Sequence, residues 1–253
     1  MRIFILLGFI ALTQPGNSFR QTESKEEVLA KVWNATGGKT AFEKSRYFRF
    51  DFTYESEGKV LSVRRHLWDR YTGDYRLERT GNDGKKMIVL FNTNSQSGQS
   101  YVDGMMETID SMNTKNVKRA YATFINDTYW LINPVKLQDP GVNVTLYDNE
   151  TVDGTECNVL GLTFGNDIGL TPQDQYWLYV NQKSGEIVRW KYKLQNSTST
   201  GEWKWESYRD IGGMNFSTRK ISSDGKAVIS FPNAKIMETV NTELFENAIL
   251  TME

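Results

Sequence analysis

The stretch that most limits what this chain can become is Tyr176-Trp-Leu-Tyr-Val-Asn-Gln-Lys-Ser-Gly-Glu-Ile-Val-Arg-Trp-Lys-Tyr192. It is two runs of aromatic and β-branched residues separated by polar turn residues, Asn181 to Glu186. Gly185 can adopt the left-handed backbone a tight turn needs, so the run predicts an antiparallel hairpin. Val188, Trp190 and Tyr192 alternate with Ile187, Arg189 and Lys191, which predicts one apolar and one wet face. Trp203-Lys-Trp-Glu-Ser-Tyr208 continues the theme. Such strands require a sheet that is closed or covered.

The punctuation agrees. Asp83-Gly84, Asp103-Gly104, Asp153-Gly154 and Asp224-Gly225 are four tight-turn signals. Between them lie short strand candidates, from Phe48, Phe50, Phe52 and Tyr54 alternating with Arg49, Asp51 and Thr53, to Ala227–Phe231. In Lys59 to Trp68, Leu61, Val63 and Leu67 share a face with Arg65, an unusual neighbour for apolar residues. This spacing predicts an antiparallel meander of about eleven strands, not βαβ units.

Two helices interrupt it. Ser24-Lys-Glu-Glu27 has capping-box spacing, Val28, Leu29, Val32 and Trp33 follow on one face, and Gly37-Gly38 ends the helix. In 116–132, Val117, Ala120, Tyr121, Phe124, Thr128 and Leu131 recur at helical spacing, and Pro134 predicts the stop. The expected fold class is therefore α+β.

The chain begins with Met1-Arg2, an apolar run from Ile3 to Leu12, and the breaker Gln14-Pro-Gly-Asn-Ser18. That layout predicts a secretory signal peptide over residues 1–18, with a single domain over 19–253. The run is too short to span a bilayer, and no cysteine follows it to carry a lipid. Export implies a periplasmic or otherwise extracytoplasmic protein.

Composition removes several functions. With 30 basic and 31 acidic residues there is no cationic excess for a phosphate backbone, so nucleic acid is not an expected partner. One cysteine, Cys157, and one histidine, His66, exclude an internal disulfide and a zinc site built on several such ligands. Their chance meeting as a nucleophile pair is outweighed by the ordinary use of a lone cysteine as a small hydrophobe. The carboxylate pairs Glu55/Glu57 and Asp148/Glu150 flank turns and read as solvated charge. No catalytic residue, metal or cofactor is expected, and the protein reads as a non-enzyme.

The order of elements resembles the LolA/LolB-type lipoprotein-carrier superfamily, in particular its Bacteroidetes-type members. An export signal leads to a helix ending in Gly-Gly, strands, a helix running into Trp130-Leu-Ile-Asn-Pro134, and more strands. The chain then carries Tyr208-Arg-Asp-Ile-Gly-Gly-Met-Asn-Phe216 and Val240-Asn-Thr-Glu-Leu-Phe245. The resemblance implies an incomplete antiparallel β-barrel with helices over its open side and an apolar space between. It implies a carrier for a lipid, lipoprotein acyl chain or other apolar ligand, monomeric, with peripheral contact to the envelope. Trp33, Phe48, Phe50, Phe52, Phe124 and Trp130 are then cavity candidates, although ordinary core packing uses the same residues. The resemblance also implies an inward arginine that bonds the covering helix. Arg65 is the candidate, against the alternative that its head lies in water. Two other readings stand beside the carrier: an envelope interaction module with a filled core, and a carbohydrate-binding protein using Trp203 and Trp205 as an exposed pair.

Overall fold

The computed structural model describes residues 23–166 and 168–252. The expected signal segment and its cleavage point lie outside the described residues.

Helix α1 (Lys25–Ala35) starts as its sequence dictates. The Ser24 side chain accepts from the Glu27 N–H, and the Glu27 carboxylate accepts from the Ser24 N–H. Both orphan donors are satisfied, and the negative charge complements the helix N-terminus. A short α2 (Lys39–Lys44) follows. Among the described residues fourteen strands come next, where about eleven were expected. They are β1 (Tyr47–Ser56), β2 (Lys59–Asp69), β3 (Asp74–Thr80), β4 (Lys86–Asn92), β5 (Ser97–Val102) and β6 (Met105–Met106). After helix α3 (Asp110–Lys136) come β7 (Val142–Val152), β8 (Thr155–Phe164), β9 (Gln175–Asn181), β10 (Ile187–Lys193) and β11 (Thr200–Asp210). The last are β12 (Asn215–Ser222), β13 (Ala227–Ser230) and β14 (Lys235–Met237).

All strand pairs are antiparallel, and the sheet runs β6-β5-β4-β3-β2-β1-β13-β12-β11-β10-β9-β8-β7, with β14 also on β1. Two meanders thus meet along β1, whose far side is shared between β13 and β14. The sheet does not close: β6 and β7 are its edges. The chain passes from one edge to the other through α3, which lies across the concave face. This is an α+β open half-barrel.

Tight turns follow the local sequence. Glu57-Gly58, Asp103-Gly104 and Asp153-Gly154 each place both residues at positive φ, from 49° to 80°. That is the mirror-image turn whose twist matches the flanking strands. Gly185 has φ 75° and lies under α1, where an added Cβ would sit 2.6 Å from the Lys31 carbonyl oxygen. Here glycine serves both the turn and the close approach of a helix.

The hairpin's faces differ from the alternation in one respect. A bulge at Val188 turns both Ile187 and Trp190 inward, opposite Val180 and Leu178. Ile187 is buried in the main core, while Val188 packs outside with Cys157, Val159 and Tyr179. Pro134 does not stop α3, which continues to Lys136. In the last turn a proline forfeits one hydrogen bond near the end of the ladder, where the loss is smallest. Residues 242–248 cover the outside of the sheet. Thr242–Phe245 form a 3-10 turn, and the fully buried Arg76 guanidinium donates to the carbonyls of Leu244 (2.8 Å), Asn247 (2.9 Å) and Leu250. Glu78 accepts from Arg76 Nε at 2.7 Å, so the buried charge is paired.

Candidate functional site

Because opposed residues in an antiparallel pair share a face, the register of β1 on β2 fixes what the concave side presents. Phe48, Phe50 and Phe52 lie opposite Trp68, His66 and Arg64. Arg65, with Leu61, Val63 and Leu67, faces the other way. The face that Leu61, Val63 and Leu67 share with Arg65 is therefore the outer one, against the inward Arg65 that the resemblance implied. Leu61 and Val63 are 58% and 41% exposed, and only Leu67 is covered. Arg65 is exposed on the outside, opposite Asp51 and Glu78, so it cannot reach the helix. Its neighbour Arg64 does.

Arg64 donates to Asp127 of α3 through Nε (2.6 Å to Oδ2) and Nη2 (2.8 Å to Oδ1). This bidentate fork is the strongest form of guanidinium–carboxylate contact. The guanidinium also lies 4.3 Å above the Phe52 ring. His66 Nε2 is 3.0 Å from Asp127 Oδ2, close enough for electrostatic contact but poorly aligned for a hydrogen bond. Its other nitrogen, Nδ1, is 2.7 Å from the Tyr75 hydroxyl. Phe50 stacks flat on the imidazole at 4.4 Å between centroids. His66 and Asp127 are both fully buried.

The charge state follows from these surroundings. Burial pushes the His66 pKa down, against the opposing pull of Asp127, which favours a neutral ring. Burial works to raise Asp127, but the close contact of the His66 ring and the hydrogen bonds and charge of Arg64 overcome it and hold the carboxyl below its ordinary value. Burial raises Tyr75 well above a normal phenol. The cluster is thus Arg64⁺–Asp127⁻ beside a neutral His66 and Tyr75.

Around the cluster the concave face is aromatic. Phe48, Phe50 and Phe52 are buried, and Phe124 of α3 packs edge-on to Trp68 and Tyr75 at 5.2 and 4.9 Å. Trp130 contacts Trp190 (4.4 Å) and Trp203 (5.2 Å). Each such pair contributes about 0.5–1.5 kcal/mol beyond its buried area. Trp33 sits at the rim, its ring 6.0 Å from Phe42 and its Nε1 donating to Gln138 at 2.8 Å. The Nε1 atoms of Trp68, Trp190 and Trp205 are buried without a protein acceptor. Trp203 and Trp205 are 8% and 2% exposed. That burial overturns the carbohydrate reading, which needs an exposed pair.

A second buried charge lies on the same face. Lys220 of β12 is fully buried, opposite Trp205 in the β11–β12 register. Its Nζ donates to the Ser217 carbonyl at 2.5 Å and lies 4.5 and 4.6 Å from the Trp205 and Phe231 rings. Burial lowers its pKa well below the usual amine value.

Cys157 and His66 lie in different layers, the thiol in the small outer cluster and pushed up to about 11 by burial. Among the described residues no three His, Cys, Asp or Glu side chains gather as a metal site. Two depressions open outward. One of about 420 Å³ is lined by Ser111, Thr114, Lys115, Lys118, Arg119 and Ala122 of α3. One of about 300 Å³ lies on the outside of β7–β10 and includes Asp148 and Glu150. Neither lies between α3 and the sheet.

The inner charges were legible only in part. Arg64, His66 and Trp68 alternate along β2, but so do Leu61, Val63, Arg65 and Leu67, and apolarity favoured the wrong set. The surer signal was Asp127, a carboxylate three residues after Phe124 and four before Leu131 on the buried stripe of α3.

No protein-family model and no curated protein matches this chain. Solved structures do. A DUF1329 family protein from Desulfovibrio piger superposes with a TM-score of 0.52 at 15% identity, covering 91% of this chain and 100% of that one. A LolA superfamily protein from Nitrosomonas europaea superposes with a TM-score of 0.51 at 12% identity, covering 87% and 97%. At such identities the likeness is one of fold alone: the chain has the open antiparallel half-barrel of the LolA type.

Proposed function

We propose that the protein is an exported carrier for an apolar chain, a lipid or lipoprotein acyl group, here with its helical lid closed. Helix α3 is the lid, and Arg64, Asp127 and His66 are its latch. The observation that carries the reading is the chemistry of the lid contact. Elsewhere α3 meets the sheet through Val117, Ala120, Phe124 and Leu131, with neutral hydrogen bonds from Asn113 and Asn116 to β5, yet at one point it buries a full ion pair. A lid meant to stay shut would gain as much or more from an apolar pair there. A charged fork closes in one geometry and is released when the pair can be rehydrated. Phe48, Phe50, Phe52, Phe124 and Trp130, with Trp33 at the rim, then line the space that opens when α3 lifts.

The test is lipid extraction and native mass spectrometry of protein purified from its own host, with titration of a fluorescent fatty-acyl probe. A co-purifying apolar species, and tighter probe binding in Asp127→Asn, are expected. Protein that carries no lipid and takes up no probe in either form removes the reading. A second reading, an envelope interaction module with a filled core, is favoured by one observation: the protein's own rings occupy the concave face. A specific protein partner captured without lipid would support it.

A further inference from the structure

Four large apolar side chains stand in solvent within eight residues: Met105 (71% exposed), Met106 (57%), Ile109 (59%) and Met112 (42%). They occupy β6, which is an edge of the sheet, the link to α3 and its first turn. Scattered apolar exposure is ordinary, but a run this dense marks a contact surface.

The run itself carries two carboxylates, Glu107, which accepts from the Ile109 N–H, and the exposed Asp110. Past them the charge is positive: from Ser111 to Asn126, α3 has three cations, Lys115, Lys118 and Arg119, and no acidic residue, in a chain whose net charge is −1. All three are exposed, and none makes an ion pair among the described residues. They line the open depression on the outer side of the helix. Met112, Lys115 and Arg119 follow at helical spacing, so the cationic strip starts where the apolar cluster ends.

We propose that this corner docks on an anionic lipid bilayer. Met105, Met106, Ile109 and Met112 enter the headgroup–acyl boundary, while Lys115, Lys118 and Arg119 lie on the anionic headgroups. Both contributions are needed, because a few apolar side chains or a few cations alone give only weak, reversible attachment. Methionine suits the task, being flexible and able to fit an irregular acyl surface. The proposal stands whether or not the interior takes a ligand, because every residue in it is on the outside.

The experiment is co-sedimentation of the protein with vesicles of phosphatidylglycerol and phosphatidylcholine, compared with pure phosphatidylcholine. Binding to the anionic vesicles that weakens with salt is expected. Lys115→Gln with Lys118→Gln should weaken it by roughly fivefold per cation removed. Met105→Ser with Met106→Ser should weaken it by about tenfold or more. Lys183→Gln with Lys226→Gln, exposed cations in two distant turns, should leave it unchanged. All the substituted side chains are exposed, so thermal unfolding should not move. Equal binding to both vesicle types, no binding, or an equal loss from the Lys183/Lys226 pair overturns the proposal. So does a dimer that Met105→Ser with Met106→Ser abolishes, since a second copy would then own the patch.

Discussion

Replacing Asp127 by alanine tests the latch most directly. The carboxylate is fully buried and holds both arms of the Arg64 fork, at 2.6 and 2.8 Å, with His66 at 3.0 Å. Removing one partner of a buried ion pair costs about 3–5 kcal/mol. Arg64 has a side chain 21% exposed, so part of the stranded charge can recover water, which points to the lower end, about 3 kcal/mol. For a chain of this size that lowers the melting temperature by roughly 6–12 °C. Urea unfolding followed by tryptophan fluorescence measures it, and amide exchange along α3 localises it. The decisive companion is Arg64→Met with Asp127→Leu, which removes both charges and restores packing. Its stability should return to within about 1 kcal/mol of the parent or exceed it. If Asp127→Ala costs under about 1 kcal/mol, or the double replacement is as unstable as the single one, the ion pair does not hold the lid.

Three further outcomes follow from buried groups and backbone. The folded-state pKa of His66 lies below its unfolded value, so the unfolded chain binds the extra proton. Stability should therefore fall as pH drops through about 6.5, with Asp127 adding to the loss in the carboxylate range, and His66→Gln should flatten the upper part of that curve in urea titrations. Lys220 is likewise depressed, so its burial costs stability at neutral pH and the cost fades as pH rises toward the free amine value. Lys220→Met should raise the urea midpoint at pH 7 and narrow its gain at pH 9.5; a destabilised variant would mean that the contacts to Trp205 and Phe231 outweigh desolvation. Gly185→Ala should cost about 2 kcal/mol, from positive φ and the approach to Lys31, and unchanged thermal unfolding would contradict that packing.

What the sequence alone determined is local. The capping box at Ser24 and Glu27, the mirror-image turns at Asp103-Gly104 and Asp153-Gly154, and the aromatic alternation of β1 are properties of a few consecutive residues. They were enough to show an antiparallel, helix-covered sheet. The tertiary structure decided which face is inner. Side chains alternate with a period of two, so a shift of one residue exchanges Arg64 for Arg65, and only pairing with β1 and the crossing of α3 settles the choice. The same holds for Val188, where one bulge reverses the pattern, and for Pro134, which α3 tolerates at its end. Apart from the Ser217 carbonyl beside Lys220, the partners that make His66, Asp127 and Lys220 meaningful lie 9 or more residues away in sequence, or on another element. No window of neighbouring residues contains that information, because burial and charge pairing are set where distant segments meet.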